Sequence, residues 1–315
     1  MIDFRYHLVS LIAVFLAVAL GIVIGTTQLN GPVLSNLQSQ VSALQADKRS
    51  LEDRTQVLQG QLSTSTAFEQ AVAPALVKGS LTGHRVLLVL ASDQVPQDTV
   101  DKVTTLLGKA GGTLGGTIQL QSAYTDPATA AGLQNYVTGP GLPAGVKLPT
   151  GGDTGKMVGA LLGQVLMVQR SGSVASAATV SSVLAGLSAL KVLNQEGSSV
   201  TPSEYAVVLT AGVVQGSDAV ARKATLSNLV AALDAGGSGA VVAGDAASAG
   251  KNGLVGVIRN APSLSAAVSS IDNVGTAAGQ ISTVLALGPE TKGTSGKYGT
   301  GLNTQPVPPV PSSTP

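Results

Sequence analysis

One uninterrupted apolar run limits what this chain can become. Residues 8–29 contain no charged side chain and centre on LIAVFLAVALGIVIG. A helix rises about 1.5 Å per residue, so residues 8–27 reach about 30 Å, the thickness of one hydrocarbon core. A cleaved signal sequence would carry a shorter apolar region of about 7–15 residues ending at an A-x-A-like site. Here the run is longer and is followed by GTTQLNGP, so the segment reads as an uncleaved membrane anchor. Arg5 precedes it and the next cation is Lys48. The excess of Lys and Arg on cytoplasmic flanks then puts residues 1–7 inside and the bulk outside, a single-pass plasma-membrane topology. Gly21 and Gly25 form a small-xxx-small pair that would let two such helices approach closely, although glycine is common in membrane spans in any case.

After Gly31-Pro32, where the spacing predicts a break and a restarted helix, the apolar residues fall in a heptad pattern over residues 28–66. Leu34, Val41, Lys48, Thr55 and Leu62 take position a; Leu37, Leu44, Leu51 and Leu58 take position d. Val at a with Leu at d favours two strands, and polar residues at a set register or partner choice at some cost in stability. In a parallel homodimer Asp47 would face Glu52 of the other strand, a like-charge pair, so an unlike partner with basic flanking positions is the better match. The seam Leu34, Leu37, Val41, Leu44, Lys48, Leu51, Leu58 and Leu62 is thus the expected contact with a coiled-coil partner, homo- or hetero-oligomeric. The competing arrangement packs this helix onto the chain's own domain.

Residues 67–83, with Pro74, are expected to be a linker. From His84 the pattern changes to short apolar runs alternating with helical stretches. VLLVLA (86–91), a run near 113–120, YAVVLT (205–210), GAVVA (239–243) and a run near 266–271 read as strands covered on both faces. Helices are expected near 99–110, 127–137, 156–169, 178–193, 217–235, 249–258 and 277–286, with a Gly/Pro-rich loop at 139–155. The alternation predicts an α/β domain over 84–290 with a mostly parallel sheet between two helical layers. Residues 291–315, with five prolines in the last twelve positions, are expected to form a disordered Gly/Pro-rich tail.

Charged residues make up 11% of the chain, aromatics 3%, and 39 residues are glycine. The core must therefore be built from Ala, Val and Leu with closely packed helices. A net charge of +1 gives no electrostatic footprint for nucleic acid. The lack of cysteine excludes disulfides, thiolate metal sites and thiol catalysis.

Each chemical motif has a plainer reading. TGGDTGKM (150–157) has the outline of a phosphate-binding loop, but Thr150 replaces its first glycine and Met157 its magnesium-binding hydroxyl. Ser188 and Lys191 match S-x-x-K without the companion motifs that give that pair a role. Asp93 and Asp245 each follow a predicted parallel strand, at the carboxyl edge where α/β domains bind ligands; aspartate there also caps helices. Copper(I) prefers sulfur and copper(II) imidazole. The possible donors are Met1, Met157, Met167, His7 and His84. His7 lies at the inner membrane edge and His84 before the first strand, so they do not easily share a site, and Met157 and Met167, ten apart on an expected helix, read as core filler. No catalytic residue, metal ligand or cofactor is expected, and the chain is not expected to be an enzyme.

The opening MIDFRYHLVSLIAVFLAVALGIVIG, together with Asp272-Asn273, GQISTVLAL and GKYG (296–299), resembles the actinobacterial MctB-like family, named for mycobacterial copper transport protein B. That resemblance covers nearly all of the chain up to the tail. It implies copper homeostasis, as efflux or as part of an envelope channel. Some family relatives are similar to SteB, which pairs with SteA in cell division and influences a peptidoglycan hydrolase. No copper-ligand motif carries over to this sequence. The leading expectation is an envelope protein acting through coiled-coil assembly, for which the resemblance implies a SteA-like protein as one candidate partner. Copper transport is the alternative.

Overall fold

The computed structural model describes residues 4–310 apart from 141, 144, 150 and 198, and gives the backbone alone for 26–33. The chain divides into two units, Met1–Ser65 and Thr66–Pro315. A single helix, α1 (Phe4–Val77), supplies the described part of the first unit and enters the second. Its backbone runs on through Gly31 and Pro32, where a break was expected. It also continues through Pro74, so residues 67–77 of the expected linker are helical. Pro74 removes one intrahelical hydrogen bond, but Ala73 and Val77 on this last stretch are buried in the domain core, and Leu81 follows them after a turn. Phe4–Gly25 has a mean hydropathy of 2.9 and is long and apolar enough to cross a membrane.

The second unit is an α/β domain around a seven-stranded, mostly parallel sheet. Its strands are β1 (Arg85–Leu90), β2 (Thr113–Leu120), β3 (Leu193–Glu196), β4 (Tyr205–Thr210), β5 (Gly239–Gly244), β6 (Ser269–Ile271) and β7 (Lys297–Tyr298), in the order β3-β2-β1-β4-β5-β6-β7. Every pairing is parallel except β2 with β3. The helices are α2 (Gln97–Lys109), α3 (Ala130–Thr138), α4 (Thr154–Leu166), α5 (Ala177–Ala189), α6 (Ala219–Gly236), α7 (Leu254–Asn260), α8 (Pro262–Ala267) and α9 (Ala277–Glu290).

The unbroken apolar strands are explained by the two cores. Leu87 and Val89, Ala206 and Val208, and Ala240 and Val242 enter one cluster, with α4, α5, α6 and α7. The alternate residues, Val86 and Leu88, Val207 and Leu209, and Val241 and Ala243, enter the other, with α2, α9 and the end of α1. A strand's period of two thus feeds both faces, and neither face can be polar.

Small residues let the helices approach closely. Gly163 of α4 lies against the backbone of Ala232, and Gly236 of α6 against the backbone of Gly163, leaving no room for a Cβ at either position. The starts of α4, α5 and α9 carry side-chain caps. The Asp153 carboxylate accepts from the Lys156 amide at 2.7 Å, Ser176 Oγ from Thr179 and Thr276 Oγ1 from Gly279. The Glu69 carboxylate of α1 also accepts from the Ala278 amide at 3.1 Å, joining α1 to the first turn of α9.

Several expected boundaries change. The helix expected at 249–258 begins at Leu254 and is followed by α8, so the strand expected near 266–271 shortens to 269–271. The helix expected to run to residue 169 ends at Leu166, because Met167 turns to bridge Ser203. The residues expected as a disordered tail include β7, and Gln305 bridges back to Tyr298; residues 311–315 lie outside the described residues.

Candidate functional site

Strand order creates a cleft at the carboxyl ends of the sheet. The Ala91 amide donates to the Leu209 carbonyl at 2.8 Å, so β1 and β4 stay paired to their carboxyl ends. The chain after β1 then passes to α2 on one face, and the chain after β4 to α6 on the other. Such a reversal leaves a crevice outside the strand ends, the usual ligand position in an open α/β sheet. A cleft of about 420 Å³ lies there, bordered by 91–94, 120–122 and 210–215, with Arg222 of α6.

Asp93 lines this cleft and its carboxylate makes no hydrogen bond or ion pair among the described residues. Asp245 has a different role. Its Oδ1 accepts from the Gly212 amide at 3.0 Å and from the Ser248 amide at 2.8 Å, so it fixes the 211–215 border. The two aspartates expected at the ligand edge are therefore not a pair: one faces the cleft and the other shapes it. Gly212 holds φ +69, and a Cβ there would strike the Gln94 amide oxygen. Arg222, which sequence reasoning missed, reaches the cleft from α6 because that helix starts beside it; no motif marks the position.

The other candidates dissolve on structural grounds. Thr150 of TGGDTGKM lies outside the described residues. The start of α4 already carries the chain's own carboxylate, Asp153, where a phosphate would sit. Ser188 lies in the last turn of α5, but Lys191 lies beyond the helix with φ +57, so the two do not share a helical face. Among the described residues no group of three His, Cys, Asp or Glu is arranged to hold a metal. His84 rests edge-on against the Tyr205 ring at 5.3 Å. Met157 and Met167 are buried in the first core cluster. These donors do not fit a shared copper site in the domain.

Two buried charge clusters lie elsewhere on the sheet. At its β6–β7 edge, Arg259 Nη1 meets Asp272 Oδ2 at 2.7 Å, with both side chains largely buried. Arg259 also donates to Ser270 and to the Tyr298 carbonyl, while Asp272 accepts from the Thr300 and Gly301 amides. A Cβ on Gly299 would collide with the Asp272 carboxylate. Asp272 and the GKYG stretch, two of the features that carried the family resemblance, thus form one clamp. At the amino ends of β6 and β5, Glu290 Oε1 accepts from the Ser269 amide at 2.8 Å and Asp234 Oδ1 from the Ala240 amide at 3.2 Å. Burial pushes the Glu290 carboxyl from 4.5 up to about 7, against the pull of the Ser269 hydrogen bonds and with a smaller push from Asp234. Burial raises Asp234 as well.

In the first unit, Leu37, Leu44, Leu51 and Leu58 are each more than half exposed. Gly21 and Gly25 have open space around them. Lys48 at an a position pairs with Glu52 one turn on, at 3.4 Å. The Thr55 hydroxyl donates to the Leu51 carbonyl at 2.8 Å, so it can enter a seam without an unpaired donor.

Residues 1–309 match the family described as "Copper transport outer membrane protein, MctB". The chain belongs to the MctB family. It is 32% identical over 308 residues to the "Copper transporter MctB" of Mycobacterium tuberculosis H37Rv and to that of Mycobacterium bovis, covering 96% of this chain and 97% of each relative. The Mycobacterium leprae protein of the same name is 31% identical over 309 residues. The MctB match spans the apolar helix, the heptad stretch and the α/β domain, so all three parts belong to one family architecture.

Proposed function

We propose that this MctB family protein takes part in copper transport at the cell envelope, as a non-enzymatic, membrane-anchored component. The observation that carries this reading is the match over residues 1–309, together with relatives named copper transporters at 32% identity over almost their full length. The sequence-based preference for assembly over copper is accordingly reversed. Arg5 before the span and Lys48 as the first cation after it support a topology with the α/β domain outside the plasma membrane. The domain's open sheet, with strands of 2–8 residues covered by helices, is not the closed wall of about ten-residue strands that an outer-membrane barrel uses. Copper would then pass through an assembly, with this chain contributing the anchor and domain.

The test is cellular copper content. Cells lacking the gene should accumulate more copper under copper load, as measured by elemental mass spectrometry, and the intact gene should restore the normal level. Unchanged copper in the deletion strain would overturn the proposal.

The stalk supports a second, compatible element. Its exposed leucine seam favours association through a heptad-bearing partner, either a second copy or a SteA-like division protein that regulates peptidoglycan hydrolysis. Lys48 partly neutralises Glu52, which weakens the electrostatic argument against a homodimer. Recovery of the full chain from detergent as a monomer without a helical partner would count against this element.

A further inference from the structure

The switch-point cleft has chemistry that copper does not use. Among its described lining residues there is no histidine or methionine, and none is aromatic. A saccharide site normally offers an aromatic face to the sugar ring, so a sugar is poorly served here. A phosphate ligand is also poorly served. The loop after β1 reads ASDQVP rather than a glycine-rich turn, Asp93 projects a carboxylate at the strand end, and Asp98 occupies the first turn of α2.

What the cleft does offer is one carboxylate and one guanidinium. Asp93 comes from the β1 side and Arg222 from the α6 side, and neither side chain has a partner among the described residues. Neutral donors and acceptors lie between them, including Gln94, Gln121, Ser122 and Gln215. A volume of about 420 Å³ falls in the usual range for small-molecule sites. The cleft also adjoins a second hollow of about 260 Å³, since Thr125 lines both. That hollow is walled largely by aliphatic residues such as Ala130, Leu133, Val158 and Ala224, with Asp126 and Asp153 also in its lining. Tyr124 lines it as well, and its buried hydroxyl has no hydrogen-bond partner.

We infer that the cleft at the carboxyl ends of β1 and β4 binds a short zwitterionic peptide: its ammonium meets Asp93, its carboxylate meets Arg222, and a small apolar side chain enters the hollow beside Thr125. Opposite unpaired charges across a polar cleft suit a ligand carrying both signs, because a singly charged ligand would leave one group without a partner. The apolar annex then selects for small aliphatic side chains. This inference goes beyond the copper role and does not depend on it.

Calorimetry on the full chain in detergent tests it, with dialanine as the probe. Dialanine should bind with a Kd below about 1 mM. N-acetyl-dialanine, which lacks the ammonium, and dialanine amide, which lacks the carboxylate, should each bind at least tenfold more weakly. Asp93→Asn should remove the penalty for acetylation while keeping the penalty for amidation, and Arg222→Gln should do the reverse. Both positions are at the surface of the cleft, and circular dichroism would check that the variants remain folded. No binding of dialanine at about 10 mM would overturn the inference. So would equal affinity for all three compounds, or N-acetylglucosamine binding more tightly than dialanine.

Discussion

Glu290 offers the sharpest test of the domain's electrostatics. Its carboxyl is raised from 4.5 to about 7, mainly by burial, so between those values the folded chain holds a proton that the unfolded chain has lost. Stability therefore falls as pH rises through this window and levels off once both states are ionised. The shift corresponds to about 3 kcal/mol above neutral pH. Glu290→Gln keeps an oxygen to accept from the Ser269 amide at the position of Oε1, but it cannot ionise. At pH 8 the variant should be more stable than the wild type by about 1–3 kcal/mol, the lower figure allowing for an amide that fits the site less well. Near pH 4.5 it should have no advantage. Urea unfolding of the detergent-solubilised chain, followed by tyrosine fluorescence, measures this, since Tyr124, Tyr205 and Tyr298 are all buried in the domain. Comparing variant with wild type at each pH cancels the titration of groups that do not interact with Glu290. A stability difference that is the same at both pH values would refute the reasoning, because it would mean that burial does not raise the Glu290 carboxyl above its value in the unfolded chain.

Other perturbations probe the remaining features. Replacing Leu44 and Leu51 together by Asp should abolish crosslinking through the stalk while leaving the circular dichroism of the domain unchanged, since both residues lie outside the domain core. Arg259→Met strands the buried Asp272 carboxylate and should destabilise the domain by about 3–5 kcal/mol in urea unfolding. Gly163→Ala forces a methyl group into the Ala232 backbone and should lower stability by about 1–3 kcal/mol, read from the midpoint of thermal unfolding.

The sheet was legible where burial was complete. Tyr205–Thr210 and Gly239–Gly244 carry unbroken apolar runs, and their ends were found within one residue. The strands that were missed lie at the two edges. Leu193–Glu196 reads LNQE, with polar residues facing solvent, and Lys297–Tyr298 is two residues long. Neither has a periodicity that a sequence window can detect, and each exists because a longer strand offers it a ladder. The end of α1 was misread because Pro74 is a strong local signal, whereas the burial of Ala73 and Val77 that sustains the helix depends on residues far along the chain. The candidate site was half legible. Asp93 and Asp245 were recognised from their places after strands, but only the fold separates the residue facing the cleft from the one supporting its border. Arg222 could not be found at all, since its relation to Asp93 is set by which face of the sheet α6 packs against.

The clamp around Asp272 imposes an order on how this domain can mature. Its carboxylate is buried beside Arg259, yet two of its hydrogen-bond donors, the amides of Thr300 and Gly301, come after all the other strands and helices. β6 likewise waits for β7 as its outer neighbour. While the polypeptide is still emerging from the ribosome or a translocon, every helix can already be present while the sheet margin stays open, with a buried anion short of ligands. Completion is therefore reserved for a chain made at least to Gly301. A product terminated before Lys297 would leave β6 without its outer neighbour and the Asp272 carboxylate without the Thr300 and Gly301 amides.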